Sequence, residues 1–213
     1  MPLGDFFWQA FVTLLVITDP FCVVPVFASL MRGAPHAVQL RTARRSCIIS
    51  LVLLFAFAFL GDKLLDALCI SEPAFRITGG FLLLLAAIDM VIARGEALRA
   101  PSKDEAKEIS ERDDVSVFPL AIPLIAGPGA LTCVVVLMRQ AEELGLWYQG
   151  SLVLIILITI AVMYISLRSD KFLMRILGVT GMNVLTRVGG VILAALAIQN
   201  IIHGVTAVIR NSV

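Results

Sequence analysis

Charge is scarce in this chain. Only 15% of its 213 residues are Asp, Glu, Lys or Arg, against about 25% in a soluble globular domain, and that deficit removes an ordinary water-soluble fold from consideration. Charge of one sign is scarcer still. With 17 basic and 16 acidic residues the formal net charge is +1, and the basic residues stand at segment ends instead of forming a stripe, so the footprint of a nucleic-acid binder is missing. Cysteine is sparse: Cys22, Cys47, Cys69 and Cys133 show neither Cys-x-x-Cys spacing nor a disulfide framework, which argues against the common zinc sites and against a stapled secreted scaffold. No His-Glu-x-x-His, phosphate loop or nucleophile-base pair occurs, so no enzyme class announces itself and no metal or cofactor is expected. A signal peptide is not expected either. Asp5 precedes the first apolar run, no basic residue does, and the run exceeds the roughly 7–15 residues of a leader core.

What the chain has in abundance is apolar sequence: 59% of its residues are hydrophobic and its mean hydropathy is +0.96. Six segments stand out, at residues 6–31, 46–60, 76–93, 115–138, 150–167 and 188–209. The second is short for the ~20 residues a span needs, so Arg44, Arg45 and Lys63 are expected to snorkel from its ends, with residues 61–73 as a polar turn. Residues 94–114 form the one long hydrophilic stretch, with five basic and seven acidic residues. They read as a solvated connector in preference to a binding site, and the sign-alternating part at 103–114 could form a short surface helix. The loops after spans one, three and five hold 13 of the 17 basic residues, Arg187 counted among them. The positive-inside rule therefore puts those loops in the cytoplasm and both termini outside. Trp8, Trp147 and Tyr148 suit the outer aromatic belt.

Two stretches organise the rest. Ile17-Thr18-Asp19-Pro20-Phe21-Cys22 and Ile125-Ala126-Gly127-Pro128-Gly129-Ala130 put helix breakers at the middle of spans one and four. Proline removes a backbone donor, and the residue before it is pushed out of α geometry. Irregular backbone at that depth survives only where protein or trapped water satisfies the freed groups, so each break should line a cavity. Asp19-Pro20 and Gly127-Pro128 read as N-cap then first helical residue of new half-helices. Facing half-helix N-termini, with their partial positive charge and open N–H groups, suit a carboxylate or other anion.

The halves repeat. Residues 76–89, with Gly79 and Gly80, return 110 positions on as 186–199, with Gly189 and Gly190, and Pro20 maps onto Pro128 at an offset of 108. Three spans is an odd number, so the second half enters the membrane from the other side. Inverted repeats with interrupted helices in matching positions are a sequence pointer to a secondary transporter. The paired glycines are read as close helix-packing positions. The candidate substrate site comprises Thr18, Asp19, Pro20, Phe21 and Cys22 at the first break, Gly127, Pro128, Gly129 and Thr132 at the second, and Gln199, deep in span six with Asn200. His203 is read as interfacial. Asp19 has two readings, a helix cap alone or a cap that also holds Na⁺ or carries a proton, because a carboxylate at mid-bilayer costs on the order of 2.5–3.5 kcal/mol.

Four stretches carry a resemblance to a known family: Asp19-Pro20-x-x-x-x-Pro25-x-Phe27, the run from Phe75 to Gly80, Ala121-Ile122-Pro123-Leu124-Ile125-Ala126-Gly127-Pro128, and the closing span from Arg187 to Gly204. Over nearly the whole chain the sequence resembles the MarC family of six-span inner-membrane proteins. The resemblance implies a bacterial inner-membrane protein similar to transporters of small neutral amino acids coupled to Na⁺ or H⁺, and implies no drug efflux. Where the family's usual pattern has Gly and Asn, this chain has Cys22 and Val23. The expectation is thus an all-α membrane protein of six transmembrane helices. They form two inverted three-helix repeats, residues 1–93 and 115–213, with discontinuous helices one and four and a cytoplasmic linker at 94–114. It would not be an enzyme, and would move a small zwitterionic or anionic solute, with the bilayer, the solute and Na⁺ or H⁺ as its partners and no nucleic acid. Two other readings stay open: a thiol-disulfide conduit through Cys22 and Cys133, and a non-transporting membrane scaffold. The oligomeric state is not legible.

Overall fold

The structure, a computed structural model, describes residues 2–31, 33–67, 69, 71–92 and 115–211. The expected linker, with its surface helix at 103–114, lies outside them. Among the described residues there is no strand. The helices are α1 (Leu3–Thr18), α2 (Pro20–Leu30), α3 (His36–Ala67), α4 (Glu72–Ile92), α5 (Pro128–Leu144), α6 (Leu146–Arg168) and α7 (Asp170–Asn211), with a wide-turned helical segment, Ser116–Ile125, before α5. Among the described residues five stretches are long and apolar enough to cross a membrane: Leu3–Leu30, His36–Gly61, Pro73–Ile92, Leu146–Arg168 and Thr180–Arg210. Ser116–Ile125 and Pro128–Leu144, bent by 55° at their junction, make a sixth if taken as one span.

Several boundaries differ from the sequence reading, each for a local reason. The second span does not stop at residue 60 with a polar turn after it; α3 continues to Ala67 and starts at His36, so Arg41, Arg44, Arg45 and Lys63 are helical. Gly61, which looked like the turn's first residue, is a packing position: a Cβ there would come 2.5 Å from Val135 Cγ2 on α5. The last helix starts at Asp170, far ahead of residue 188, and is interrupted at Gly178, whose φ of 62° and ψ of 179° suit glycine alone. Arg187, counted above with a loop, lies inside α7 on an exposed face.

In lipid, apolar burial gives helices little reason to associate, so close packing decides. On α1, Phe6, Ala10, Leu14 and Ile17 are buried, and on α6 the residues Leu152, Ile155, Ile156, Thr159, Ile160, Met163 and Leu167 are buried at helical spacing. α1 and α2 pack on α6 and α7, while α3 packs on α5, the Ser116–Ile125 segment and α6. The broadest contact joins α4 to α7. There a Cβ on Gly80 would lie 2.9 Å from the Ala197 carbonyl oxygen, and one on Gly190 would lie 3.1 Å from that of Ala87. The two contacts mirror each other, since Gly80 and Ala87 stand 110 residues before Gly190 and Ala197. The paired glycines thus act as the packing positions the sequence suggested, joined by Gly204, whose Cβ would meet the Pro73 carbonyl at 3.0 Å.

The ends alternate in side. Phe6 at the start of α1 meets Tyr148 at the start of α6 edge-on, with ring centroids 5.5 Å apart. Gln9, Arg76, Gln140 and His203 line one cavity. The starts of α1, α4 and α6 therefore share a face with the ends of α5 and α7, which puts the described N- and C-terminal ends on the same side.

Candidate functional site

At the first break, Asp19 takes a left-handed conformation, φ 40° and ψ 72°, that closes α1 and opens α2. Pro20 has no N–H, so the carbonyl of Val16 loses its partner four residues on. Asp19 N–H still donates to Leu15 O at 3.1 Å, and its carbonyl receives Cys22 N–H and Val23 N–H at 3.1 Å each. The side chain caps the new helix: Asp19 Oδ1 accepts from Cys22 N–H at 3.2 Å. The same oxygen accepts from the Thr186 hydroxyl on α7 at 3.4 Å. Asp19 is 3% exposed, so its carboxylate sits inside the bundle and not on a lipid or water face. The cap expected from the sequence is present.

Before the second break, two prolines act in series. Phe118 (φ −126°, ψ 127°) and Ile122 (φ −127°, ψ 122°) are extended, the geometry favoured for a residue that precedes a proline, here Pro119 and Pro123. The turn is closed by Ala126 N–H to Ala121 O at 2.9 Å, five residues back. Gly127 is extended, and no side chain caps α5, whose first residue is Pro128. The orphan donors of that first turn stay uncapped by side chains. Gly127 has to be glycine on steric grounds, since a Cβ would lie 2.5 Å from Pro123 O.

The two breaks meet. The ideal Cβ of Gly129 lies 3.7 Å from Ile17 Cγ2 and 3.4 Å from Leu83 Cδ2. Around this contact are two hollows. A groove of about 230 Å³ is lined by Ile17, Pro123, Gly127, Pro128, Gly129 and Ala130, with Leu82, Leu85 and Ala86 of α4. A separate chamber of about 200 Å³ opens toward the side of the termini. Gln9, Thr13, Arg76, Gln140, Gln199, Asn200 and His203 supply its polar lining, and Gly79, Gly80, Leu83, Thr132 and Cys133 also line it. Leu83 lines the chamber and touches Gly129 of the groove, so it stands between them.

The sequence-predicted residues divide accordingly. Gly127, Pro128 and Gly129 line the groove. Thr132 and Gln199 line the chamber, Thr132 with its hydroxyl given to Pro128 O at 2.9 Å and Gln199 with its amide nitrogen 2.8 Å from His203 Nε2. Thr18, Asp19, Pro20, Phe21 and Cys22 line neither hollow. Thr18 is buried and gives its hydroxyl to Leu15 O at 3.1 Å, the ordinary fate of a hydroxyl in a span. No disulfide joins Cys22 and Cys133. Sequence reasoning missed Arg76 and Thr186. These two positions correspond at the 110-residue offset, and the repeat itself was the signal that could have singled them out.

Comparison with known proteins agrees on one lineage. Residues 4–209 match the family described as MarC family integral membrane protein. A UPF0056 membrane protein of Methanocaldococcus jannaschii is 36% identical over 201 residues, 94% of this chain and 96% of the relative. Another from Aquifex aeolicus is 33% identical over 98% of this chain and 96% of its own length. The Escherichia coli UPF0056 membrane protein YhcE is 32% identical, covering 95% and 93%. No solved structure matches the chain.

Proposed function

This chain belongs to the MarC family of integral membrane proteins, and on that premise we propose that it is a secondary transporter of a small zwitterionic or anionic solute. A small neutral amino acid, coupled to Na⁺ or H⁺, is the favoured cargo. The observation that carries the reading is the meeting of two mid-span interruptions inside the bundle, Ile17 against Gly129, one of them holding a buried carboxylate. Non-helical backbone at membrane depth belongs to solute and ion pathways, and so do intramembrane carboxylates. Asp19 is the coupling residue in this reading, and the uncapped first turn of α5 offers its backbone to the solute.

An inverted-repeat architecture fits the same reading, with residues 1–93 and 115–213 as the repeats, 94–114 as the linker and spans one and four discontinuous. The mirrored Gly80 and Gly190 contacts support it. So does the exchange of partners, in which α1 and α2 lie on α6 and α7 while α5 lies on α3 and α4. The mirrored contacts between α4 and α7 are what a twofold axis in the membrane plane would produce. We propose the inner membrane as its place, both termini outside and no enzymatic activity. The test is counterflow of labelled small amino acids in proteoliposomes, with and without Na⁺. Exchange of at least one of them supports transport. Absence of exchange across the panel refutes this assignment and leaves the scaffold and the thiol-disulfide conduit through Cys22 and Cys133.

A further inference from the structure

The apolar stretches Leu146–Arg168 and Thr180–Arg210 are joined by helix and not by a loop. α7 begins at Asp170, and its first two turns, residues 170–177, end at the kink of Gly178. These turns lie outside both apolar stretches. α6 starts on the side of the termini, so its far end and this short helical piece stand on the opposite side of the bundle. At 100° per residue the piece sorts into three strips. Asp170, Leu173, Met174 and Leu177 form the inner one: Asp170 is buried, and the three apolar side chains pack against the core. Lys171 and Arg175, four apart and so on one face, are exposed. Beside them Phe172 and Ile176, also four apart, are 63% and 62% exposed. Arg168, exposed at the end of α6, stands at the junction.

Neither bulk phase suits this outer surface. Charged side chains are costly within hydrocarbon, and in water two large apolar side chains would stay wet side by side. The boundary between headgroups and acyl chains takes both strips at once, as it does for amphipathic helices that lie in the membrane plane. Both ends of the piece are already fixed to spans, so its cations are not needed to reach the bilayer. What they can select is the lipid, because basic side chains at the surface attract anionic headgroups. We propose that residues 170–177 form an interfacial helix that binds anionic phospholipid. Lys171 and Arg175, with Arg168, hold the headgroup, and Phe172 and Ile176 seat against the acyl chains. The orientation proposed above makes this the cytoplasmic leaflet. The inference does not depend on what the protein transports.

The test uses the full chain reconstituted in bilayers, with a tryptophan placed on the outer strip. Trp8→Phe and Trp147→Phe, at positions 64% and 85% exposed, clear the background, and Phe172→Trp supplies the probe. In mixed phosphatidylglycerol and phosphatidylcholine bilayers, one lipid at a time carries brominated acyl chains, which quench tryptophan on contact. Brominated phosphatidylglycerol should compete for the site about fivefold better than brominated phosphatidylcholine, the factor expected of one basic residue near an anionic surface. Lys171→Gln with Arg175→Gln should bring the ratio close to one, Lys171→Arg should keep it, and added salt should shrink it. Equal quenching by the two lipids, or a ratio that the double variant leaves unchanged, overturns the selection of anionic lipid. Quenching by neither lipid overturns the interfacial placement. Acrylamide then tells a helix in water, where it quenches, from one covered by residues 94–114 or by a partner protein, where it does not. Ile176→Trp repeats the measurement if Phe172→Trp does not fold.

Discussion

The two breaks begin from the same punctuation, a proline at matching positions of the two halves, and arrive at different chemistry. At Asp19 the chain is interrupted by one left-handed residue, and a side chain caps the restarted helix. At Gly127 the interruption spreads back through two further prolines, bends the span by 55° and leaves the restarted helix without a side-chain cap. The first break buries a charge at 3% exposure, whereas the second borders a groove with backbone and small residues. At these two places a proline marks the interruption, and the residue before it decides whether the interruption carries charge or room.

The largest effect should come from erasing the charge while keeping the cap. Asn is nearly as good an N-cap as Asp, so Asp19→Asn should preserve the fold and counterflow and abolish ion-driven concentrative uptake. If uptake against a gradient survives, Asp19 is a cap and nothing more, and the two breaks differ less than proposed. Next comes the room at the other break. Gly127→Ala drives a Cβ to 2.5 Å from Pro123 O, and such overpacking costs about 1–3 kcal/mol. It should lower Tm and weaken solute binding with ion dependence intact, measured by unfolding and uptake on the same preparation.

The mirrored contacts give a control in which the halves should behave alike. Gly80→Ala and Gly190→Ala each force a Cβ to about 3 Å from a facing carbonyl oxygen. The two variants should lose comparable stability, about 1–3 kcal/mol each. A loss at only one would show that the packing is not shared between the halves. The smallest effect is expected from Thr186→Val, which removes the 3.4 Å hydrogen bond to Asp19, a contribution of about 1 kcal/mol. It should shift Tm slightly and leave Gly127 variants unaffected.

Apolar runs long enough to cross a bilayer, the Asp19-Pro20 cap and the Gly80 and Gly190 packing positions were all legible, because each depends on residues near in sequence or on a repeat. The extent of α3 was not. Lys63 and Gly61 read as turn residues, yet Gly61 is helical where α5 needs a close approach through Val135. Pro119 and Pro123 were in plain view, but their joint effect, two extended residues four apart ahead of the real break, was not drawn from them. The chamber was least legible of all. Gln9, Arg76 and Gln140 come from three helices, and each taken alone reads as an interfacial polar residue at a span end.

Everything proposed about transport presumes that the two interruptions come together, and that contact is directly measurable. In a chain with its four cysteines replaced, Ile17→Cys and Gly129→Cys should form a disulfide or accept a short bis-thiol linker in native membranes. The ideal Cβ of Gly129 is 3.7 Å from Ile17 Cγ2, so the two side chains start in van der Waals contact. Phe6→Cys with Tyr148→Cys serves as the reference pair. Cross-linking of both pairs is the predicted result; a reference pair that links while Ile17→Cys and Gly129→Cys stay apart would contradict the account.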